Sequence, residues 1–547
     1  MKDLLYRRLV LLPVSVVAFV LFFLCSCIEN NIPYAKVPLS ITAFRVEGQA
    51  GECSISESDM TVKVTLEETV NPKTVKVDTI GYTEKASSSL KEGDVIDLSD
   101  NYVVTLSLYQ DYAWKIVPDQ PIERRIGVSN QVGNAVFNEK YHEVTVYITK
   151  NSSLREVELT DLKLGPEGSA MNGVTDGVPP VEWRVYSNYA EAAVQVTFSD
   201  FVDEQWTVRV YNSDSNVQVE RVDGWVNVAW MYGAGVAGAD NGFEYREVGE
   251  EEWTTVPQTY LTVDGGRFSA RVPHLKANTS YECRAYSGDE KAEAVQFSTV
   301  DMGSIPNMDF EDWHQDGKVI CPWAEGGSPF WDTGNHGSTT LSENDNVTTP
   351  TDEVRPGSAG TTAAKLRSQV VVVKFAAGNL FIGEYKRTKG TNGILGFGRE
   401  FTSYPTRLKG YFRYQTASIT EVIDRYASLK NQPDSCIVWV ALGDWDLQTN
   451  AESGAKTAVE VETENNGNGR YFDKNDSHVI AYGEMVCGET TGEYRQFDIE
   501  LEYRATNRKP TALLIICSAS KYGDYFVGGP GATMWVDDFS LEYDYDD

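Results

Sequence analysis

Two stretches of this chain carry one strand pattern twice, and that repeat constrains the fold more than any other feature. Val46 to Leu66 reads VEGQAGECSISESDMTVKVTL, and Val128 to Ile148 reads VSNQVGNAVFNEKYHEVTVYI. Gln49 aligns with Gln131, Gly51 with Gly133, and Val62, Val64 and Leu66 with Val144, Val146 and Ile148. The alternation continues through Val75, Val77 and Ile80 against Val157, Leu159 and Leu162. Apolar residues at period two, separated by turn residues, make half-buried strands. Trp114 and Trp206 supply one buried indole per copy, and their spacing leaves the second copy about ten extra residues, placed in the Gly/Pro-rich segment 165–180. The repeat predicts two small β-sandwiches, over 38–118 and 119–212.

A third module follows over 217–300. Trp230 lies in an early strand, Phe243 to Arg246 in the next, and Trp253 follows a charged turn. Leu275 is then followed six residues later by Tyr281, ahead of the strand carrying Cys283. This resembles a fibronectin type III module, in which such a tyrosine forms a corner. The two preceding sandwiches are Ig-like by the same reasoning. None of the three carries a chemical constellation, since His142 and His274 stand alone, so they are expected to act as spacers.

The first residues set an address. Lys2, Arg7 and Arg8 precede an apolar run from Leu9 to Leu24, the layout of a secretory signal. It ends Leu24-Cys25-Ser26-Cys27, which resembles a bacterial lipobox, so residues 1–27 are expected to be a signal segment whose Cys27 receives the lipid. The alternative is an uncleaved membrane helix, against which Pro13 and the placement of the cysteine argue. The resemblance implies an exported protein anchored to the outer membrane, with its domains at the cell surface. With 80 acidic against 48 basic residues and a net charge of -32, nucleic acid is excluded as a partner. Six cysteines remain beyond Cys27, none in a C-x-x-C pair. Structural zinc is not expected, and a disulfide among Cys321, Cys436, Cys487 and Cys517 stays open.

From about 305 the composition shifts to Gly, Asn and aromatics. Cys436 to Leu442 and Ala512 to Cys517 are apolar on both faces, whereas Phe497, Ile499, Leu501 and Tyr503 alternate with acidic residues. Strands covered on both sides and strands with one wet face point to two packed antiparallel sheets, a jelly roll over 305–547. The fold class is therefore all-β throughout. A short helix is expected near Thr420 to Lys430.

Several motifs of this region occur together. Phe310-Glu-Asp-Trp313, Trp331-Asp-Thr-Gly-Asn335, Ala363-Ala-Lys-Leu366, Gly393 to Arg399, Leu408-Lys-Gly-Tyr411 and Trp535-Val-Asp-Asp-Phe539 resemble the carbohydrate metabolism domain found on lipoproteins of Bacteroidetes. The resemblance covers 305–547 and implies a glycan context. A weaker similarity is to jelly-roll carbohydrate-binding modules, whose ends meet around calcium. That would place structural calcium on Asn307, Asp309 and Glu311 with Asp537 or Asp538; strand-end carboxylates facing water are the alternative.

Sugar binding needs a flat apolar face and hydrogen-bonding groups beside it. Trp323, Trp331 and Trp445 are expected on loops, with Asp332, Asn335, Asp444 and Asp446 beside them. Trp439 and Trp535 belong to strands and are assigned to the core. The leading expectation is a lipoprotein that binds polysaccharide or oligosaccharide and assists a neighbouring glycan-uptake complex. A glycoside hydrolase or lyase is the second reading, with Asp332, Glu384 and Asp444 as candidate catalytic carboxylates. It needs two carboxyls roughly 5 Å apart, or 6.5–9.5 Å for inversion. An adhesin or assembly protein is the third.

Overall fold

The computed structural model describes residues 39–545, apart from 58, 328, 344 and 465–468. Cys27 and the segment before it lie outside the described residues. No helix among those described is long and apolar enough to cross a membrane. The architecture is all-β, with the α-helix Asn335–Leu341 as a short exception that the sequence reading lacked. At the expected helix near 420–430 the chain forms the 3-10 turn Asp424–Leu429, broken at Tyr426.

The repeat is visible in hydrogen bonds. In the first module Val46 N–H donates to Gln49 Oε1 at 3.2 Å, and Gln49 Nε2 donates to Gly51 O at 2.9 Å. In the second, Val128 N–H donates to Gln131 Oε1 at 3.1 Å, and Gln131 Nε2 donates to Gly133 O at 3.0 Å. Gly51 and Gly133 both take left-handed backbone, φ 73° and 67°, which explains why a Cβ is missing at each. Thr61–Thr65 pairs in parallel with Asp111–Asp119, and Glu143–Ile148 in parallel with Val202–Asn212. Trp114 and Trp206 are both fully buried in these pairs.

The third module has the sheets Gln218–Gly224, Ala229–Ala234, Arg267–Val272 and Leu261–Asp264 on one side, and Asn241–Glu247 with Ser280–Ser287 at the centre of the other. Lys276 N–H donates to the Tyr281 hydroxyl at 2.9 Å, so the expected tyrosine corner is present. Met231, Phe243, Phe268 and Tyr281 fill the core. Alternation therefore turns Trp230 and Tyr232 outward, away from it.

The modules are joined by packed contacts. Gly133 N–H donates to Gly235 O, and a Cβ at Gly266 would stand 2.5 Å from Gly133 N. Trp225 is buried between the third module and the C-terminal domain, stacked on Tyr404 at 5.4 Å and 4°, with its Nε1–H on Thr506 O at 3.1 Å. The first module also touches the C-terminal domain. Glu57 of the first module pairs with Arg425 of the C-terminal domain at 2.7 Å.

That domain is a sandwich of a nine-stranded and a five-stranded sheet. Cys436–Gly443 and Ala512–Ser518 run side by side in the large sheet and are buried along their whole length. Their inner face, with Val438, Val440, Ile515 and Cys517, meets Leu408, Met534 and Val536 of the small sheet. Their outer face, with Trp439 and Ile516, is covered by Trp445, Phe472 and Val461. All six cysteines beyond Cys27 are free thiols, although Cys436 and Cys487 face each other across adjacent strands.

Candidate functional site

Of the tryptophans read as sugar-stacking faces, Trp331 and Trp445 are interior. Trp331–Thr333 is a short strand against Asn379–Lys389, and its pairing with Ile382 turns Trp331 into the core at 1% exposure. Its Nε1–H donates to Pro306 O at 2.9 Å, and its ring meets Phe310 edge-on at 5.5 Å. Trp445, 6% exposed, folds over Gly443, where a Cβ would lie 2.5 Å from the indole. Trp323 is partly exposed, but its ring is met by His314 at 5.2 Å. Trp439 and Trp535 are buried as assigned, but on the outer faces of their sheets. Trp439 stacks on Phe472 at 4.4 Å, and Trp535 lies beneath the Arg413 guanidinium at 3.9 Å.

The polar candidates have structural partners. Asn335 is 0% exposed and ties Ile320 O and Thr348 O to the helix start, with both bonds at 2.7 Å. Asp332 accepts from Thr333 N and Tyr385 N at 2.7 Å each and faces His336 at 3.4 Å. Burial pulls the His336 imidazole down, but the Asp332 carboxylate outweighs it and raises it above the usual histidine value. Glu384 accepts from Asn450 Nδ2 at 2.8 Å and Ser453 Oγ at 2.7 Å, fastening that turn. Asp444 accepts from Arg508 Nε at 2.9 Å and faces His478 at 3.2 Å. Burial works against its charge, and those two partners hold it below the usual carboxylate range. Asp446 is exposed. Asp332, Glu384 and Asp444 thus each accept from a different set of donors.

The two ends of the domain do meet, through Phe539 N–H donating to Met308 O at 2.8 Å. The proposed calcium ligands do not gather there. Asn307 Oδ1 accepts from Asp312 N, Glu311 accepts from Thr361 N and Thr362 N, and Asp309 is exposed. Arg355 occupies the other half, its Nε on Asp538 at 2.5 Å and its N–H on Asp537 at 2.8 Å. The Arg355 guanidinium thus brings positive charge to Asp538, and its backbone N–H takes up one oxygen of Asp537. Among the described residues no three His, Cys, Asp or Glu side chains converge as a metal site. Asp537 Oδ1 remains buried without a partner, and burial pushes this carboxyl up to about 6.

Within the C-terminal domain an aromatic surface lies elsewhere, on loops beside the large sheet, and it is built from tyrosines. Tyr426 meets Tyr522 at 4.8 Å and Tyr525 at 5.1 Å, and Tyr525 meets Tyr471 at 4.1 Å. All four are partly exposed. Arg425 lies over Tyr426 and Tyr525 at 5.2 and 5.4 Å, and Lys521 lies beside Tyr522.

Three loops carry these residues, and Asp434 holds two of them together. Its Oδ2 accepts from Ser520 Oγ at 2.6 Å and Gly529 N at 2.7 Å. Gly528 packs so closely on Phe375 that a Cβ would stand 2.4 Å from the ring. Beside the cluster opens a cleft of about 80 Å³ lined by Gly337, Lys374, Phe375, Tyr385, Asp524 and Phe526. Lys374 donates to Thr391 Oγ1 and Asn392 Oδ1 and sits 3.6 Å from the Phe526 ring centre. Burial lowers this ammonium and pushes the Asp524 carboxyl up to about 6. Aromatic faces beside a cation and a carboxyl suit a polyhydroxylated ligand.

Residues 309–542 match the family described as "Putative carbohydrate metabolism domain". No curated protein matches the sequence. Among solved structures, the chain is similar to a "putative glycoside hydrolase" of Bacteroides thetaiotaomicron at 12% identity, covering 93% of this chain and 98% of that one, TM-score 0.29. A second, from Bacteroides vulgatus, shares 22% identity over 43% of this chain and 96% of that one, TM-score 0.32. The SGBP-B protein of the Bacteroides ovatus mixed-linkage glucan utilization locus, solved with a mixed-linkage heptasaccharide, shares 7% identity over 81% of this chain and 92% of that one, TM-score 0.19. These likenesses are too distant to assign an activity.

Proposed function

We propose that this chain binds oligosaccharide or polysaccharide on the tyrosine surface of its C-terminal domain. The observation that carries the reading is the cluster of Tyr426, Tyr471, Tyr522 and Tyr525, partly exposed and beside the Asp524 cleft. The family match over 309–542 supports a carbohydrate context for the same domain. A pyranose ring stacks its apolar face on such rings, while Asp524, Lys521 and Arg425 offer hydrogen bonds to its hydroxyls. Hydrolysis has less support, because Asp332, Glu384 and Asp444 each serve a different local structure. The remaining elements of the proposal are a lipid on Cys27, attachment to the outer membrane at the cell surface, and a place beside a glycan-uptake complex.

The test is affinity electrophoresis of the full chain through gels containing plant, host and microbial polysaccharides, with polysaccharide length checked afterwards. The full chain is needed because cutting at 305 would expose Tyr404 and Tyr503, which pack on Trp225. Retardation by one polysaccharide class, lost in the Tyr471→Ala/Tyr525→Ala variant and without shortening of the glycan, is the expected result. Shortening would make the domain an enzyme, and retardation unchanged in the variant would move the site elsewhere.

A further inference from the structure

A groove of about 560 Å³ runs between the third module and the C-terminal domain, and it shares no lining residue with the tyrosine cleft. Alternation builds one wall. Trp230 and Tyr232 point away from the Met231 side of their strand, and Arg271 stands opposite Trp230 on the neighbouring strand. Tyr503 and Tyr545 of the C-terminal domain supply the facing aromatics.

Two arginines lie on tyrosine faces here, and their circumstances differ. Arg221, over Tyr232 at 4.1 Å, is paired with Asp223 at 3.0 Å. Arg271, over Tyr545 at 4.5 Å, has no carboxylate partner among the described residues. In a chain of net charge -32, a cation held by stacking and without an ion pair among the described residues is unusual. The indole Nε1–H of Trp230, next to it across the strands, is buried and also lacks an acceptor among the described residues. A buried donor without a partner is costly, so a groove that holds one is built for an acceptor.

We propose that this groove binds a saccharide carrying a carboxylate, a uronic acid residue. Its planar carboxylate would take the Arg271 fork and the Trp230 Nε1–H, and its ring would lie against the groove's tyrosines. Glu500 and Glu502 line the same groove and set a limit. They disfavour a dianion such as a phosphate ester and leave room for a single negative charge.

The experiment is calorimetric titration of the full chain at low ionic strength with trigalacturonate, and with maltotriose as the neutral probe. Trigalacturonate is expected to bind and maltotriose not to compete at the groove. Arg271→Gln should weaken trigalacturonate roughly tenfold or more, as for loss of a charge-assisted hydrogen bond, and Trp230→Phe should weaken it severalfold. Added salt should weaken it as well. Arg271→Gln should not shift the melting temperature appreciably, and Tyr471→Ala/Tyr525→Ala should leave this binding intact. No binding of trigalacturonate, equal binding by Arg271→Gln, or displacement by glucose 6-phosphate more strongly than by glucuronate would overturn the proposal.

Discussion

The two outer faces of the C-terminal sandwich carry similar residues but offer different surfaces. On the small sheet, Trp535, Tyr411 and Tyr494 lie under Arg413 and Arg355, with Lys365 beside them. The chain itself closes that face. Glu353 pairs with Arg413 and with Lys365 at 3.4 Å, and Arg355 pairs with Asp538. On the large sheet the tyrosines also meet cations; there Lys374 donates to Thr391 and Asn392, and Asp524 is raised by burial alone. Here too the chain reaches one cation, Glu57 of the first module pairing with Arg425 at 2.7 Å, so the two faces differ in how much of the cationic edge is already paired.

That contrast can be broken or sharpened by substitution. The largest effect is expected in the interior: Trp331→Ala removes a fully buried indole and should cost about 3–5 kcal/mol of stability in a denaturant titration. Any loss of glycan binding in that variant should follow unfolding. Tyr525→Ala is expected to weaken glycan binding roughly tenfold, read by gel retardation, while leaving most of the stability in place. Glu353→Gln should cost only about 1 kcal/mol, since its pairs are partly exposed, and should not change retardation by the preferred glycan. A new glycan affinity in that variant would mean that Glu353 covers a second site.

A smaller effect is set by pH. Asp524 and Asp537 have folded-state values raised to about 6, so they bind protons in the folded state that the unfolded chain has released. Their contribution falls as pH rises from about 4 to 6. His336, raised by Asp332, adds stability that is lost as pH rises through its folded value. All three favour acid within this window, so the melting temperature should rise between pH 7.5 and 5. Asp444, held low, opposes this only when pH falls toward its own depressed value. Asp537→Asn should flatten the rise, and an unchanged profile would contradict the role given to that carboxyl.

Much of the scaffold was legible because it rests on local pattern. The Gln49 and Gln131 turns, the Leu275–Tyr281 corner and the doubly covered strand Cys436–Gly443 are each fixed by residues close in sequence. The site was not legible for the opposite reason. Tyr426, Tyr471, Tyr522 and Tyr525 come from three loops separated by long stretches of strand, and only the large sheet brings them together. Tyr522 and Tyr525, three apart and followed by Phe526, were the one local trace. Trp331 misled because its strand is three residues long, too short for alternation to reveal which side faces the core. The pairing of Asp332 with Phe381 decides that, and it depends on a strand fifty residues away.

The most direct measurement is parallel affinity electrophoresis of the full chain, Tyr471→Ala/Tyr525→Ala and Glu353→Gln in the glycan that best retards the unaltered protein. Loss of retardation in the tyrosine variant alone, with all three chains melting as folded proteins, is the predicted result. Retardation kept by the tyrosine variant, or lost only when Glu353 is changed, would contradict the assignment of the glycan surface to the large sheet.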